Sequence, residues 1–466
     1  MSENYINVLK RLYNTNKFKT KKVDLDLIFR ACNLFNNPER KVEYIHVTGT
    51  NGKGSVCKKL SSMFIKSGMK TGLFISPHIS TFRERIQIND EYIGKEYITE
   101  ELQRIYSVID RSNLDLSYFE LVTLLCFNFF RDNKVDIGVM EVGLGGNLDA
   151  TNVIDPMLSI ITSIGMDHMD SLGYTQKEIA EKKAGIIKQN RPVLIGPDCR
   201  PFEVFKNKCK ETNSPLYVCS RTDYDDIFID YERENSNIAK EAIKVLRQTY
   251  PEKFDKVTLE AIDYGLKQKQ PCRKEYAFDI LGRNFLTNYF RANYGLIINP
   301  KIKEIILDVG HNSHGLEKLL YNLRQENPKC FIRVLCGFSA NKDKTDIFRI
   351  IASYSDKIYL VAAQHPRATP YEELCEELET FLLNYNHDKE KLFRDLDPEY
   401  RKRSKGLTKQ VILKALEESH SSENKEELIL ICGSFYFMSE ARETLGYSEE
   451  KDPVELNEIN PIRFRL

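Results

Sequence analysis

The chain reads as an α/β protein made of two units, each a largely parallel sheet covered by helices. Three observations predict this. Strand-length apolar runs alternate with helix-period runs along the 466 residues. Those strand-length runs are near-continuously apolar, as parallel strands buried on both faces are. The length suits two or three domains, and the alternation starts afresh near residues 293–301.

In chain order, strands are expected at residues 44–47, 73–75, 135–142, 158–164 and 193–195, then at 304–307, 333–336, 358–362 and 428–431. Helical periodicity lies between them, at 177–187, 237–247, 316–324, 371–385 and 408–418. The dense apolar patch 121–130 holds Asn128 and reads as a buried helix. These elements divide the chain into a part spanning 1–297 and a second, Rossmann-like part spanning 298–466. Residues 221–236 form a polar stretch within the first part, and 419–427 read as a charged surface loop in the second.

Composition narrows the function. Lys+Arg and Asp+Glu balance at 68 each, which gives no basic surface for nucleic acid or an anionic membrane. No apolar run reaches the roughly 18 residues that span a bilayer. The polar, basic N-terminus has no apolar core of the kind a secretory signal carries. Eleven cysteines are scattered without C-x-x-C pairs, which excludes the usual zinc spacings and suits a reducing, cytoplasmic setting.

The segment His46-Val47-Thr48-Gly49-Thr50-Asn51-Gly52-Lys53-Gly54-Ser55 follows an apolar run and opens a helix-period run through Val56, Leu60, Met63 and Phe64. Strand, glycine-rich turn and helix in that order make a phosphate cradle. Backbone N–H groups close around the oxygens, and the helix N-terminus adds partial positive charge. Lys53 can reach terminal phosphates, and the Ser55 hydroxyl can hold Mg²⁺. The first part is therefore expected to be a P-loop ATPase-type domain. The pattern departs from G-x-x-x-x-G-K-[ST], because Gly54 separates lysine from serine. The plain alternative is a glycine-rich surface turn.

Other expected strands end in polar groups, where sites form in open α/β sheets. Glu141 ends one and precedes Val142-Gly143-Leu144-Gly145-Gly146-Asn147-Leu148-Asp149-Ala150-Thr151-Asn152. A carboxylate beside a phosphate loop suits Mg²⁺; a solvated strand end is the alternative. Met166-Asp167-His168 ends another, where His168 is either a ligand or a structural imidazole. Lys183, within Glu181-Lys182-Lys183-Ala184, reads on its own as a solvated helix lysine. In the second part, Asp308-Val309-Gly310-His311-Asn312 and residues 337–344 are polar strand tips, either a site or ordinary turns.

Together with Ser76-Pro77-His78, Arg83-Glu84-Arg85-Ile86, Lys183 to Lys188 and Cys432-Gly433-Ser434-Phe435, these segments resemble the folylpolyglutamate synthase and dihydrofolate synthase family of Mur-type ATP-dependent amide ligases. The resemblance runs from Tyr5 to Arg442. It implies ATP binding at Asn51, Gly52, Lys53, Gly54 and Ser55, with Asn237 contacting adenine and Arg273 and Asp308 contacting ATP from the linker and the C-terminal part. It implies Mg²⁺ held by Ser55, Glu141 and His168, and catalytic roles for Lys53, His168 and Lys183. It makes Lys183 a carbamylated lysine. Ser117, Tyr118, Phe119, Glu120, Leu148, Asp149 and Ala150 match the pterin-substrate segments of bifunctional members, and His311 joins the substrate residues. Four positions depart from the family pattern: Cys272 for the glycine of Pro-Gly-Arg, Asn147 for an arginine, Lys182 for a glutamate and Asn341 for an aspartate.

The family chemistry joins L-glutamate to a carboxylate through an acyl phosphate. The expected partners are therefore ATP, L-glutamate and a folate or dihydropteroate, and the expected state is a monomer. Retention of 117–120 favours an enzyme with both activities over one that only makes dihydrofolate or only lengthens the γ-glutamyl tail. A Mur ligase of cell-wall precursors and a non-catalytic nucleotide switch are the rival readings. Ser76-Pro77-His78 and Asp149-Ala150-Thr151-Asn152 argue against the first, and Asp308 with His311 against the second.

Overall fold

The computed structural model describes residues 3–15, 24–220, 230–340, 344–385, 392–395, 406–421, 425–453 and 456. The chain divides into two compact units. One holds residues 1–226, 231–270 and 454–459; the other holds 227–230, 271–453 and 460–466.

The first unit is built on eight strands: β1 (Glu43–Thr48), β2 (Thr71–Phe74), β3 (Ile86–Ile88), β4 (Glu91–Tyr92), β5 (Ile137–Glu141), β6 (Leu158–Ser163), β7 (Val193–Asp198) and β8 (Leu216–Val218). Their order is β4-β3-β2-β5-β1-β6-β7-β8. All neighbours pair in parallel except β2–β3 and β3–β4 at one edge. From β1 the chain first builds toward β2 and β5, then toward β6, β7 and β8. The carboxyl end of β1 is thus a switch point, where α/β sheets open a crevice.

Both faces of this sheet are covered, which is why its central strands carry unbroken apolar runs. Along β1 the side chains alternate. Tyr44 joins a core made with helices Lys95–Arg111 and Tyr118–Asp132, its ring 5.8 Å from Phe127. Ile45 and Val47 join a second core with helices Lys53–Lys66 and Tyr231–Thr249, against Met63, Phe64 and Ile238. A third core gathers around helices Gln176–Ala184 and Phe202–Glu211.

The second unit carries β9 (Glu275–Tyr276), β10 (Ile302–Asp308), β11 (Phe331–Cys336), β12 (Lys357–Leu360), β13 (Phe393–Arg394) and β14 (Glu427–Cys432), in the order β13-β12-β11-β14-β10-β9. Only β9 runs antiparallel. Its register, Ile306 to Tyr276 and Leu307 to Glu275, fixes residues 271–297 to the second sheet. The compact units therefore divide at 270/271, ahead of the 297/298 expected for the two parts of the chain. The expected surface loop 419–427 also differs at its ends. Ser419 and Glu427 are completely buried, because Glu427 opens β14 and accepts from Arg333 Nε at 2.7 Å. Of the polar stretch 221–236, residues 221–229 lie outside the described residues; Tyr231 onward is helix.

Candidate active site

The glycine-rich turn leaves β1 and enters helix Lys53–Lys66 through Gly52, whose φ of +84° is left-handed. Glycine has a second reason to stand there: a Cβ would lie 2.2 Å from Asn235 Oδ1. The end of β6 holds the loop in place. Thr50 N donates to Ser163 O (2.9 Å), Asn51 N donates to Ser163 Oγ (3.0 Å), and Thr162 Oγ1 donates to Asn51 O (2.5 Å). Lys53 folds back over the loop, its Nζ donating to Gly49 O at 3.1 Å and Thr50 O at 3.3 Å.

Strand order then sets what flanks this loop. β5 lies on one side of β1, with Val47 opposite Glu141, and β6 lies on the other. Glu141 is buried at the end of β5 and accepts from Ser76 N at 3.0 Å. Beyond β6, Asp167 is buried and His168 is exposed with φ +50°; His168 Nε2 is 3.9 Å from Asp167 Oδ2. Ser55 is buried in the first helical turn. Ser55 and Glu141 offer hard oxygen donors, which suit Mg²⁺.

Lys183 is not a solvated lysine. It is buried, and its Nζ donates to Gly49 O at 2.8 Å, the same carbonyl that receives Lys53. Burial, and then the Lys53 charge, lower its pKa from 10.5 to about 7. Helix periodicity carries the signal in retrospect: Ile179, Ala180, Lys183 and Ala184 form the buried stripe of Gln176–Ala184. The loop 143–152 lies against this helix. Asn147 N donates to Lys182 O (2.9 Å), and a Cβ on Gly146 would lie 2.8 Å from that carbonyl oxygen and 3.0 Å from Lys183 O.

Residues 117–120 lie against this loop, which itself contains residues 148–150. Ser117 and Glu120 form a capping box for Tyr118–Asp132, with Ser117 N donating to Glu120 Oε2 at 2.7 Å. Phe119 packs on Gly143, where an added Cβ would lie 2.5 Å from its ring. Tyr118 is buried and stacks on Tyr13. Leu148 is 43% exposed, whereas Asp149 and Ala150 are buried. Nearby, Arg85 Nε donates to His78 Nδ1 (2.8 Å), joining the Ser76 and Arg83 motifs.

Asn237 Nδ2 donates to Ser220 O (2.9 Å), just past β8. Asn235, which covers the phosphate-loop glycine, was not singled out from sequence although it lies two residues away.

In the second unit, Asp308 ends β10 and accepts from Lys274 N (2.8 Å) and Gly310 N (2.7 Å). Arg273 lies over the Phe435 ring at 5.2 Å, and the His311 ring is 5.9 Å from the same phenyl. Arg273, His311 and the start of the 435–437 turn thus gather on one edge of that sheet.

Comparison with known proteins decides what this constellation is. Residues 47–259 match the Mur ligase middle domain, and 298–435 match the Mur ligase glutamate ligase domain. The chain is 32% identical to the folylpolyglutamate synthase of Lacticaseibacillus casei, over 75% of this chain and 84% of that one. It is 30% identical to the dihydrofolate synthase/folylpolyglutamate synthase of Haemophilus influenzae, over 73% of this chain and 79% of that one. The chain belongs to this family. A folylpolyglutamate synthase structure from Thermotoga maritima superposes with a TM-score of 0.69 at 27% identity, covering 96% of this chain and 97% of that one.

As a folylpolyglutamate/dihydrofolate synthase family member, the chain is an ATP-dependent ligase, and its departures from the family pattern can be read physically. Cys272 sits at φ +56°, a left-handed conformation that a glycine would adopt without strain, and its N–H donates to Glu275 Oε2 (2.5 Å). Asn147 and Lys182 hold the loop to the helix through main-chain atoms, so their side-chain identities do not alter that contact. Asn341 lies outside the described residues.

Proposed function

We propose that this ligase joins L-glutamate to dihydropteroate and also to the γ-glutamyl tail of folates. The observation that carries the reading is the packing of Phe119 on Gly143, which brings both pterin-type segments to the loop that follows Glu141. A chain that only lengthened glutamate tails would have less need of both segments together. Relatives named for both activities, such as the Haemophilus influenzae protein, support it.

In this reading the substrate carboxylate oxygen attacks the γ-phosphorus of ATP, and ADP leaves. The glutamate amine then attacks the acyl carbon of the acyl phosphate. It loses a proton, and phosphate departs with the former carboxylate oxygen. The N–H groups of the loop at Asn51 to Ser55 cradle the phosphates. Lys53 Nζ turns from its loop carbonyls to the transferring group, where charge develops. Ser55, Glu141 and His168 are the residues that would hold Mg²⁺, and the ion supplies neutralisation of phosphate charge. Asn237 serves the adenine, and Arg273, Asp308 and His311 serve the second unit's contacts to ATP and substrate.

Lys183 carries a carbamate in the working enzyme. Its free amine attacks CO₂ and loses a proton, leaving an anionic oxygen pair and one N–H. That N–H can keep the bond to Gly49 O. The low amine pKa supports this chemistry.

The test is glutamate-dependent phosphate release from ATP with Mg²⁺, comparing dihydropteroate with tetrahydrofolate. Turnover of both is expected; turnover of one alone reduces the reading to a single activity.

A further inference from the structure

β1 enters the phosphate loop, yet its other face carries two polar side chains that the chemistry above does not use. His46 and Thr48 share that face with Tyr44, and both are completely buried. Thr48 Oγ1 donates to Gly145 O at 2.6 Å. His46 Nε2 lies 2.9 Å from Thr151 Oγ1. Thr151 Oγ1 in turn donates to Asp149 Oδ1 at 2.5 Å, and Thr151 N donates to the same oxygen at 3.0 Å. The second carboxylate oxygen, Oδ2, accepts from Leu144 N at 2.9 Å. One strand therefore grips both ends of the loop 143–152.

The direction of the chain of protons follows from the acceptor at its end. An ionised carboxylate can only accept, so the Thr151 hydroxyl donates to Asp149. The Thr151 oxygen must then accept from His46 Nε2–H. That fixes the neutral tautomer, with the proton on Nε2. His46 Nδ1 has no hydrogen-bond partner among the described residues, so the buried imidazole has one polar task, which is to orient Thr151. Leaving a polar atom buried without a partner is costly, and a structural filler would more cheaply be apolar.

We infer that His46 and Thr151 are positioning residues for the pterin acid: a buried relay, His46 to Thr151 to Asp149, that fixes the carboxylate of Asp149 and the loop 144–151 in register with the phosphate loop. The inference rests on the assignment of Leu148, Asp149 and Ala150 to the pterin segment. The relay acts through Asp149 and touches neither ATP nor the transferring phosphate. Its loss should therefore weaken the acceptor and spare the nucleotide.

The test is steady-state kinetics of the full chain, with dihydropteroate and tetrahydrofolate as acceptors, on Thr151→Val, Thr151→Ser, His46→Leu and His46→Gln. Thr151→Val is expected to raise KM for the pterin acid at least about tenfold, the loss of a hydrogen bond to a charged group, and His46→Leu at least about threefold, the loss of a bond between neutral groups. KM for ATP should stay within about twofold. Thr151→Ser keeps the hydroxyl, and His46→Gln offers an amide N–H to Thr151, so both should recover most of the acceptor affinity. If Thr151→Val does not fold, the His46→Leu and His46→Gln pair decides. Equal changes in both KM values, or a fall in thermal stability with neither KM changed, would overturn the relay and leave the pterin assignment standing. A wild-type chain that turns over neither acceptor would overturn the assignment, and the relay with it.

Discussion

Replacing Lys183 by methionine should stabilise the protein while abolishing its activity. At pH 7, an amine with a pKa of about 7 is about half free base. An ordinary lysine holds only about one part in 3,000 in that form. The enrichment, on the order of a thousandfold, is what attack on CO₂ requires. The same shift has a stability consequence. The folded pKa lies below the unfolded one, so the unfolded chain binds more protons between about 7 and 10.5. This group's contribution is thus most favourable above 10.5 and is lost as pH falls through about 7. The penalty of holding the charged amine below pH 7 is on the order of 5 kcal/mol. Methionine fills similar space without charge, though it forfeits the bond to Gly49 O, which is worth about 1.5–3 kcal/mol. The net is a stabilisation of about 2–3.5 kcal/mol in mildly acidic buffer, read by denaturant unfolding. Phosphate-release assays should show at least about a hundredfold loss of kcat. Wild-type activity should fall on removing bicarbonate and return when it is restored. Lys183→Met with full activity, or wild type indifferent to bicarbonate, would refute the reasoning.

Three further outcomes follow from the geometry. Gly52→Ala meets a left-handed φ, at about 1–2 kcal/mol, and a clash with Asn235. It should raise KM for ATP at least tenfold, roughly the energy involved, and Asn235→Ala in the same chain should recover part of that loss. Arg333→Met removes the guanidinium that pairs with the buried Glu427 carboxylate, so chemical denaturation should show a loss of about 3–5 kcal/mol with kcat unchanged in the folded fraction. All eleven cysteines are free and buried, with thiols such as Cys199 pushed up by burial. A thiol reagent should therefore modify fewer than about one per native chain and all of them in denaturant.

The sequence carried the central strands and the phosphate loop, because parallel strands buried on both faces announce themselves as apolar runs and the loop has a fixed order of residue types. Strands β3, β4, β8, β9 and β13 were invisible. Two or three residues at or next to a sheet edge have no period to detect, and β8 is partly exposed. The β9–β10 pair, which ties 271–297 to the second sheet, has no signal along the chain. At the site, Glu141 was legible from its strand end, whereas Lys183 was hidden in a charged run whose buried stripe only the packing reveals. Thr162, Ser163 and Asn235 were missed for another reason: they act on loop carbonyls, amides and a glycine from distant segments, and spacing along the chain does not encode that.

The most direct test of the central claim follows an oxygen atom. Dihydropteroate labelled with heavy oxygen in its carboxylate is incubated with the enzyme, ATP, Mg²⁺ and L-glutamate, and the released phosphate is analysed by mass spectrometry. Ligation through an acyl phosphate predicts that the phosphate carries the label, one labelled oxygen for each amide formed. Amide formation with unlabelled phosphate, or phosphate release without glutamate incorporation, would contradict the account.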